Sequence, residues 1–212
     1  MSNVKEKATK IIQFVSDRMN AKRLYLAELD ALTGDGDMGV TIALIFRACL
    51  KVVSSVKETV SISEIFEQLS EQIGDTAPST FGTLVSTMLE KMSETTTNAL
   101  SIDGELFAKC LKDAADAVSA RGGAKLGDKT LLDALYPAAF AAHTGAGKKD
   151  AFIKIISAAA EASRDGSEKT AEMKAVTGRA GYMGDRTIGN KDPGAEAIAL
   201  ILESLAVFFA RC

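Results

Sequence analysis

Three aspartates, Asp30, Asp35 and Asp37, fall within eight residues in the segment ELDALTGDGDMG. Two carboxylates about 4 Å apart repel by roughly 1 kcal/mol in water and several times that near a protein surface, so gathering three requires a counter-cation. Oxygen ligands on a glycine-rich turn, with no His or Cys nearby, suit a hard ion such as Mg²⁺. A solvated acidic cluster at a helix end has the same composition, and the residue types alone leave both readings open. Gly34-Asp35-Gly36-Asp37-Met38-Gly39 also matches the GxGxxG pattern of dinucleotide folds. That fingerprint follows a strand, whereas a helical segment precedes it here, and two of its variable positions are carboxylates that would repel a pyrophosphate. An EF-hand is excluded too: with Asp35 as position 1, position 12 is Phe46, where a bidentate Glu is needed. What survives is metal bridging to phosphate, with the helix starting near Met38 aiming free N–H groups at the same anion.

Three other segments have the composition of anion or nucleotide contacts. GDTAPSTFGT (74–83) sets Thr76, Ser79 and Thr80 beside Pro78 at the start of an apolar-striped helix; a well-capped helix N-terminus reads the same way. RGGAKLGDKTLLDALYP (121–137) joins two turn signals to Lys125, Asp128 and Lys129, as would a charged connection between helices. Residues 174–192 interleave Gly178, Gly181, Gly184 and Gly189 with Arg179, Tyr182, Arg186 and Asp192, the pattern of a binding loop rather than a linker. The single histidine, His143, stands at a helix end, where it serves as a dipole partner. No Cys–His or Ser–His pair supports covalent catalysis, so no catalytic residue is assigned. The parts present are those of phosphoryl transfer: metal ligands, helix N-termini and an arginine loop.

The elements that must hold these groups are helices. Ile42, Ile45, Phe46, Cys49, Leu50 and Val53 recur at helical spacing, as do Phe81, Leu84, Val85, Met88, Leu89 and Met92. Ile62, Ile65, Phe66, Leu69 and Ile73 form a third stripe, and Ile198, Ile201, Leu202, Leu205, Phe208 and Phe209 a fourth. Ser61 and Glu64 form a capping box, and Asp192-Pro193 reads as an N-cap with Pro in the first helical position. The expectation is an all-α fold with helices near 4–19, 21–31, 38–56, 62–73, 79–98, 104–120, 129–143, 150–173 and 193–210, in a single domain over 1–212.

Composition narrows the function classes. A 212-residue chain that is 47% hydrophobic buries a core without disulfides. A formal net charge of −3 without a long basic run excludes sequence-independent nucleic-acid or anionic-membrane binding. Cys49, Cys110 and Cys212 are odd in number and widely spaced, which suits a reducing compartment. The first residues lack a signal-peptide core, and the apolar tail 198–210 is too short and carries Glu203, so the expected location is cytoplasmic.

In order and spacing, GDGDMG preceded by Asp30, then FGT, RGGAKLGDKTLLDALYP and GRAGYMGDRTIGNKDPGA resemble the L subunit of dihydroxyacetone kinases, the nucleotide-binding subunit. The resemblance runs from about residue 5 to the end. It implies a closed barrel of about eight antiparallel amphipathic helices, with ADP or ATP and two Mg²⁺ at one end. It further implies that Asp30, Asp35 and Asp37 coordinate the metals, and that Met38, Gly39, Thr41, Thr76 and Ala77 line the phosphate side. Gly122 and Leu131 would shape the adenine pocket, while Arg179 and the Asp192-Pro193-Gly194 turn close it. The implied partners are a K subunit carrying the ketose, dihydroxyacetone, and in one branch of the family a phosphotransferase-system M subunit. Met38 stands where the family usually has His, and a thioether neither donates to phosphate nor accepts a proton. That feature supports an alternative: a nucleotide-sensing or regulatory homologue that binds ADP without phosphoryl transfer.

Overall fold

The computed structural model describes residues 3–211, so Cys212 lies outside the described residues. All regular elements among them are helical: α1 (Val4–Ala31), α2 (Met38–Ser55), α3 (Ile62–Thr76), α4 (Thr80–Thr95), α5 (Gly104–Gly122), α6 (Leu132–Gly147), α7 (Phe152–Lys169), the single-turn α8 (Gly178–Gly181) and α9 (Pro193–Phe209). Single 3-10 turns lie at Thr170–Glu172 and Gly184–Thr187.

The apolar stripes become the core. Ile42, Ile45, Phe46, Cys49 and Val53 of α2 are buried, as are Ile65, Leu69 and Ile73 of α3. Burying each such aliphatic side chain contributes about 1.5–3 kcal/mol. The cap signals also appear. Ser61 Oγ accepts from the Glu64 N–H at 3.2 Å while the Glu64 carboxylate accepts from the Ser61 N–H at 2.7 Å, and Asp192 accepts from the Ala195 N–H at 2.7 Å.

One boundary expectation fails. The segments 4–19 and 21–31 are a single helix, α1. No Gly or Pro interrupts residues 19–22, Met19 and Leu26 are both fully buried seven residues apart, and Asn20 bonds Ser16 Oγ at 3.3 Å instead of breaking the turn. Smaller shifts occur at α6, which starts at Leu132 because 123–131 forms a folded connection, and at α7, which passes into a 3-10 turn after Lys169.

Each long helix packs on its sequence neighbour, and α9 returns to pack on both α7 and α1. Short connections reverse the chain between neighbours, which sends the C-terminus of α1 and the N-termini of α2, α4, α6 and α9 to one end. The opposite end holds an edge-to-face chain of rings, Phe107–Phe152–Phe209–Phe208–Phe14. By length and composition α2, rather than the C-terminal tail, is the one helix among the described residues long and apolar enough to cross a membrane, yet its apolar stripe faces the core. Cys49 and Cys110 are free and buried; burial pushes their thiols up to about 12 and about 11, so both are inert as nucleophiles.

Candidate metal centre and binding loop

The last turn of α1 and the first of α2 place the aspartates. Asp30 ends the buried face of α1, and its carbonyl accepts from the Thr33 and Gly34 N–H groups, which turns the chain outward. Gly36 takes φ +75°, the left-handed conformation that reverses the backbone between Asp35 and Asp37. Asp37 is the N-cap of α2 but makes no side-chain capping bond, so its carboxylate is left for other partners. One oxygen from each of Asp30, Asp35 and Asp37 lies within 4.8 Å of the other two. Asp30 Oδ2 also accepts from the Met38 N–H at 3.2 Å, tying the cluster to the α2 N-terminus. A Cβ at Gly34 would collide with Asp30 Oδ1, so glycine keeps that carboxylate open. This is a hard, all-oxygen donor set and fits Mg²⁺.

Arg179, on α8 in the long 170–192 connection, pairs with Asp35. Both side chains are substantially exposed, so this ion pair opens readily. The connection is nevertheless built, not loose. Thr187, fully buried, accepts from the Ala175 N–H at 3.0 Å and donates to the Gly184 carbonyl at 2.8 Å. Thr170 Oγ1 accepts from the Asp192 N–H at 2.8 Å, and the Gly189 N–H donates to the Ala171 carbonyl at 2.7 Å.

The other expected binding residues are brought together in part. Thr41 and Ser79 meet, Oγ1 to Oγ at 3.3 Å, which joins the first turn of α2 to the N-cap of α4; Ala77 is the C-cap of α3 and accepts from the Ser79 N–H at 2.8 Å. Thr76 is engaged by Gln72 at 2.9 Å. Gly39 sits where α2 crosses α1, so close that a Cβ would strike the Arg23 carbonyl. Leu131 is buried, and Gly194 approaches it so that a Cβ there would lie 3.4 Å from Leu131 Cβ, which joins Leu131 to the Asp192-Pro193-Gly194 turn. Gly122, at the end of α5, instead neighbours Leu84 of α4. His143 is exposed on α6 beside Phe140 and Tyr136 in a groove of about 940 Å³.

Two buried charged clusters escaped the sequence reading. Lys129, which with Lys125 and Asp128 suits either an anion contact or a charged connection, points inward: it is 3% exposed, and its Nζ donates to main-chain carbonyls of the 170–192 connection. Asp128 instead closes a local turn by accepting from the Lys125 N–H at 2.8 Å. Glu196, 2% exposed, accepts from Arg164 Nη1 at 2.8 Å, Ser167 Oγ at 2.8 Å and Lys191 Nζ at 3.0 Å. Burial pushes the Glu196 carboxyl up, but these donors outweigh it and hold the group below its ordinary value. Asp192 behaves oppositely: burial, reinforced by Asp133, raises its carboxyl to about 7 against the opposing Ala195 N–H and Lys129. A signal for Glu196 was present, since it is the one acid between Pro193 and Leu202.

A family model described as "DAK2 domain" matches residues 32–207. The chain belongs to the DAK2 domain family. It is 28% identical to the "PEP-dependent dihydroxyacetone kinase 1, ADP-binding subunit DhaL" of Listeria innocua, over 97% of each chain. To the "PEP-dependent dihydroxyacetone kinase, ADP-binding subunit DhaL" of Escherichia coli it is 26% identical, over 94% of this chain and 96% of that one. The crystal structure of the dihydroxyacetone kinase from C. freundii in complex with AMP-PNP and Mg²⁺ superposes with a TM-score of 0.76 at 23% identity, a likeness of fold. That match covers 98% of this chain but 35% of the C. freundii chain, so this DAK2 chain spans about a third of that kinase's length.

Proposed function

We propose that this chain is the nucleotide-binding subunit of a dihydroxyacetone-type kinase: a single domain over residues 1–212, working in the cytoplasm with a K subunit that carries the ketose. The observation that carries this reading is the convergence of the Asp30, Asp35 and Asp37 carboxylates at the N-terminus of α2, with Arg179 reaching Asp35. The names of the Listeria and E. coli relatives support ADP as the bound nucleotide and dependence on phosphoenolpyruvate; in this reading a phosphotransferase-system M subunit delivers the phosphoryl group. Direct use of ATP is the other route for the same site.

Asp30, Asp35 and Asp37 would hold two Mg²⁺, which would supply the positive charge that offsets the phosphates during transfer. The chain's own groups do the rest. The N-terminus of α2 at Met38 and Gly39 presents its positive dipole end to the phosphates, and Thr41, Thr76 and Ala77 border them. Arg179 exchanges Asp35 for phosphoryl oxygens, to which its planar fork donates two parallel hydrogen bonds. Gly122 and Leu131 flank the adenine, and the Asp192-Pro193-Gly194 turn closes over it. No side chain here is a nucleophile; the acceptor hydroxyl and its proton belong to the ketose on the partner. The packing of α9 on α1 supports closure of the long helices into an eight-membered barrel with this site at one end.

The test mixes the purified chain with a K subunit, dihydroxyacetone and either ATP or the phosphotransferase cascade, and follows triose phosphate. Combined Asp35→Asn and Asp37→Asn substitution should lower turnover by at least about 10³-fold, the equivalent of several kcal/mol of charge stabilisation, with helicity unchanged. Retained turnover removes the metal argument. Met38, buried at the first position of α2, favours a second reading, a nucleotide sensor. ADP binding without turnover from either donor selects it.

A further inference from the structure

We infer that Lys129 is a built-in monovalent cation: its ammonium fills a cage of main-chain carbonyl oxygens and thereby positions the loop that presents Arg179 to the aspartates. Lys129 Nζ lies 2.7 Å from the Thr170 carbonyl oxygen, 3.0 Å from Met173, 2.6 Å from Thr187 and 2.6 Å from Asn190. Thr170 and Met173 precede Arg179, and Thr187 and Asn190 follow it, so one charge ties both limbs of the loop. An ammonium has three N–H groups, so at least two of the four oxygens share one; the cage is organised around a charge rather than around three directed bonds. Carbonyl oxygens that together replace a hydration shell are how K⁺ is held in a channel filter.

Three further observations agree. Among the described residues, no carboxylate forms a direct ion pair with Lys129; Asp192 favours its charge from farther away, and every hydrogen bond of the ammonium goes to a carbonyl oxygen. The backbone of Lys129 is in the left-handed region at φ +60°, which a non-glycine residue retains only where its surroundings over-determine it. The neighbouring Asp128 carbonyl also accepts from the Val176 N–H at 3.4 Å, a second tie to the same loop. Lys129 is therefore a positioning residue acting through Arg179. Its relevance to phosphoryl transfer rests on the function proposed above; the cage itself does not.

The experiment uses the full chain without nucleotide or partner, so its failure is distinguishable from failure of the kinase reading. Tryptic cleavage within 174–192 is timed for wild type, Lys129→Ala and Lys129→Met in choline, potassium and ammonium chloride at equal ionic strength, with helicity followed by circular dichroism. Wild type should be indifferent to the cation. Lys129→Ala, which leaves the cage open, should be cleaved roughly tenfold faster in choline and return toward the wild-type rate in K⁺ or NH₄⁺. Lys129→Met, which fills the space without charge, should be cleaved as fast in all three salts. If Lys129→Ala is unfolded in choline, the same salts should restore its helicity. Wild-type cleavage of either variant, or loss in Lys129→Ala that neither ion repairs, overturns the proposal. Ion rescue is the result that a lysine serving only as packing would not give.

Discussion

Asp30, Asp35 and Asp37 form a carboxylate cluster that differs from the one around Glu196 in how completely its charge is answered. Glu196 is a single buried acid enclosed by Arg164, Lys191 and Ser167, with the Tyr25 hydroxyl at 3.2 Å. Among the described residues the three aspartates have one protein cation, Arg179, which meets Asp35 in an exposed pair that costs little to open. The first arrangement is electrostatically finished and holds α9 to α7 and α1. The second carries surplus negative charge at a helix N-terminus and is completed only by cations from outside. Carboxylates alone do not mark a binding site; carboxylates left short of donors do.

Removing a charge should therefore act oppositely in the two places. Glu196→Gln leaves Arg164 and Lys191 with only the more exposed Glu203 and Glu168 to answer their charges and should cost about 3–4 kcal/mol in chemical denaturation, the lower part of the range for breaking a buried pair. A cost under about 1 kcal/mol would erase the distinction. Asp192 sharpens it, being a half-buried acid without an ion pair among the described residues. Its folded carboxyl is raised to about 7, so between about pH 4 and 7 the folded chain keeps a proton that the unfolded chain gives up. Stability should fall as pH rises through that window and level off above it. Asp192→Asn should flatten the slope, removing about 2–4 kcal/mol of pH dependence at roughly 1.4 kcal/mol per pKa unit. An unchanged slope would assign the titration elsewhere. The smallest effect belongs to the aspartates: without divalent ions, Asp35→Asn with Asp37→Asn should leave the melting temperature equal to or slightly above wild type, because the repulsion relieved at least offsets the loss of the exposed Arg179–Asp35 pair. A marked drop would make that cluster structural as well.

What the sequence displayed and what it hid follow from the range of the interactions. Asp30, Asp35 and Asp37 lie in one short segment, as do the Ser61–Glu64 box and the Asp192-Pro193 cap, and each is legible because its partners are within a few residues. The buried stripes of α2 and α3 are likewise a local periodicity. The role of Lys129 is hidden because its partners are carbonyls 41 to 61 residues away, and a carbonyl leaves no trace in residue type. Arg164 and Glu196, 32 residues apart, meet only once α7 packs on α9. The break expected between residues 19 and 21 is absent because nothing there stops a helix, and the Asn20 side chain bonds Ser16 within the turn.

The central claim is that surplus carboxylate charge at Asp30, Asp35 and Asp37 recruits divalent ions that in turn hold a nucleotide. Calorimetric titration of ADP into the purified chain, with and without Mg²⁺, tests it most directly. The account predicts tight binding only with Mg²⁺, abolished in the Asp35→Asn, Asp37→Asn chain at unchanged helicity. ADP binding of equal strength in EDTA, or in the doubly substituted chain, would contradict it.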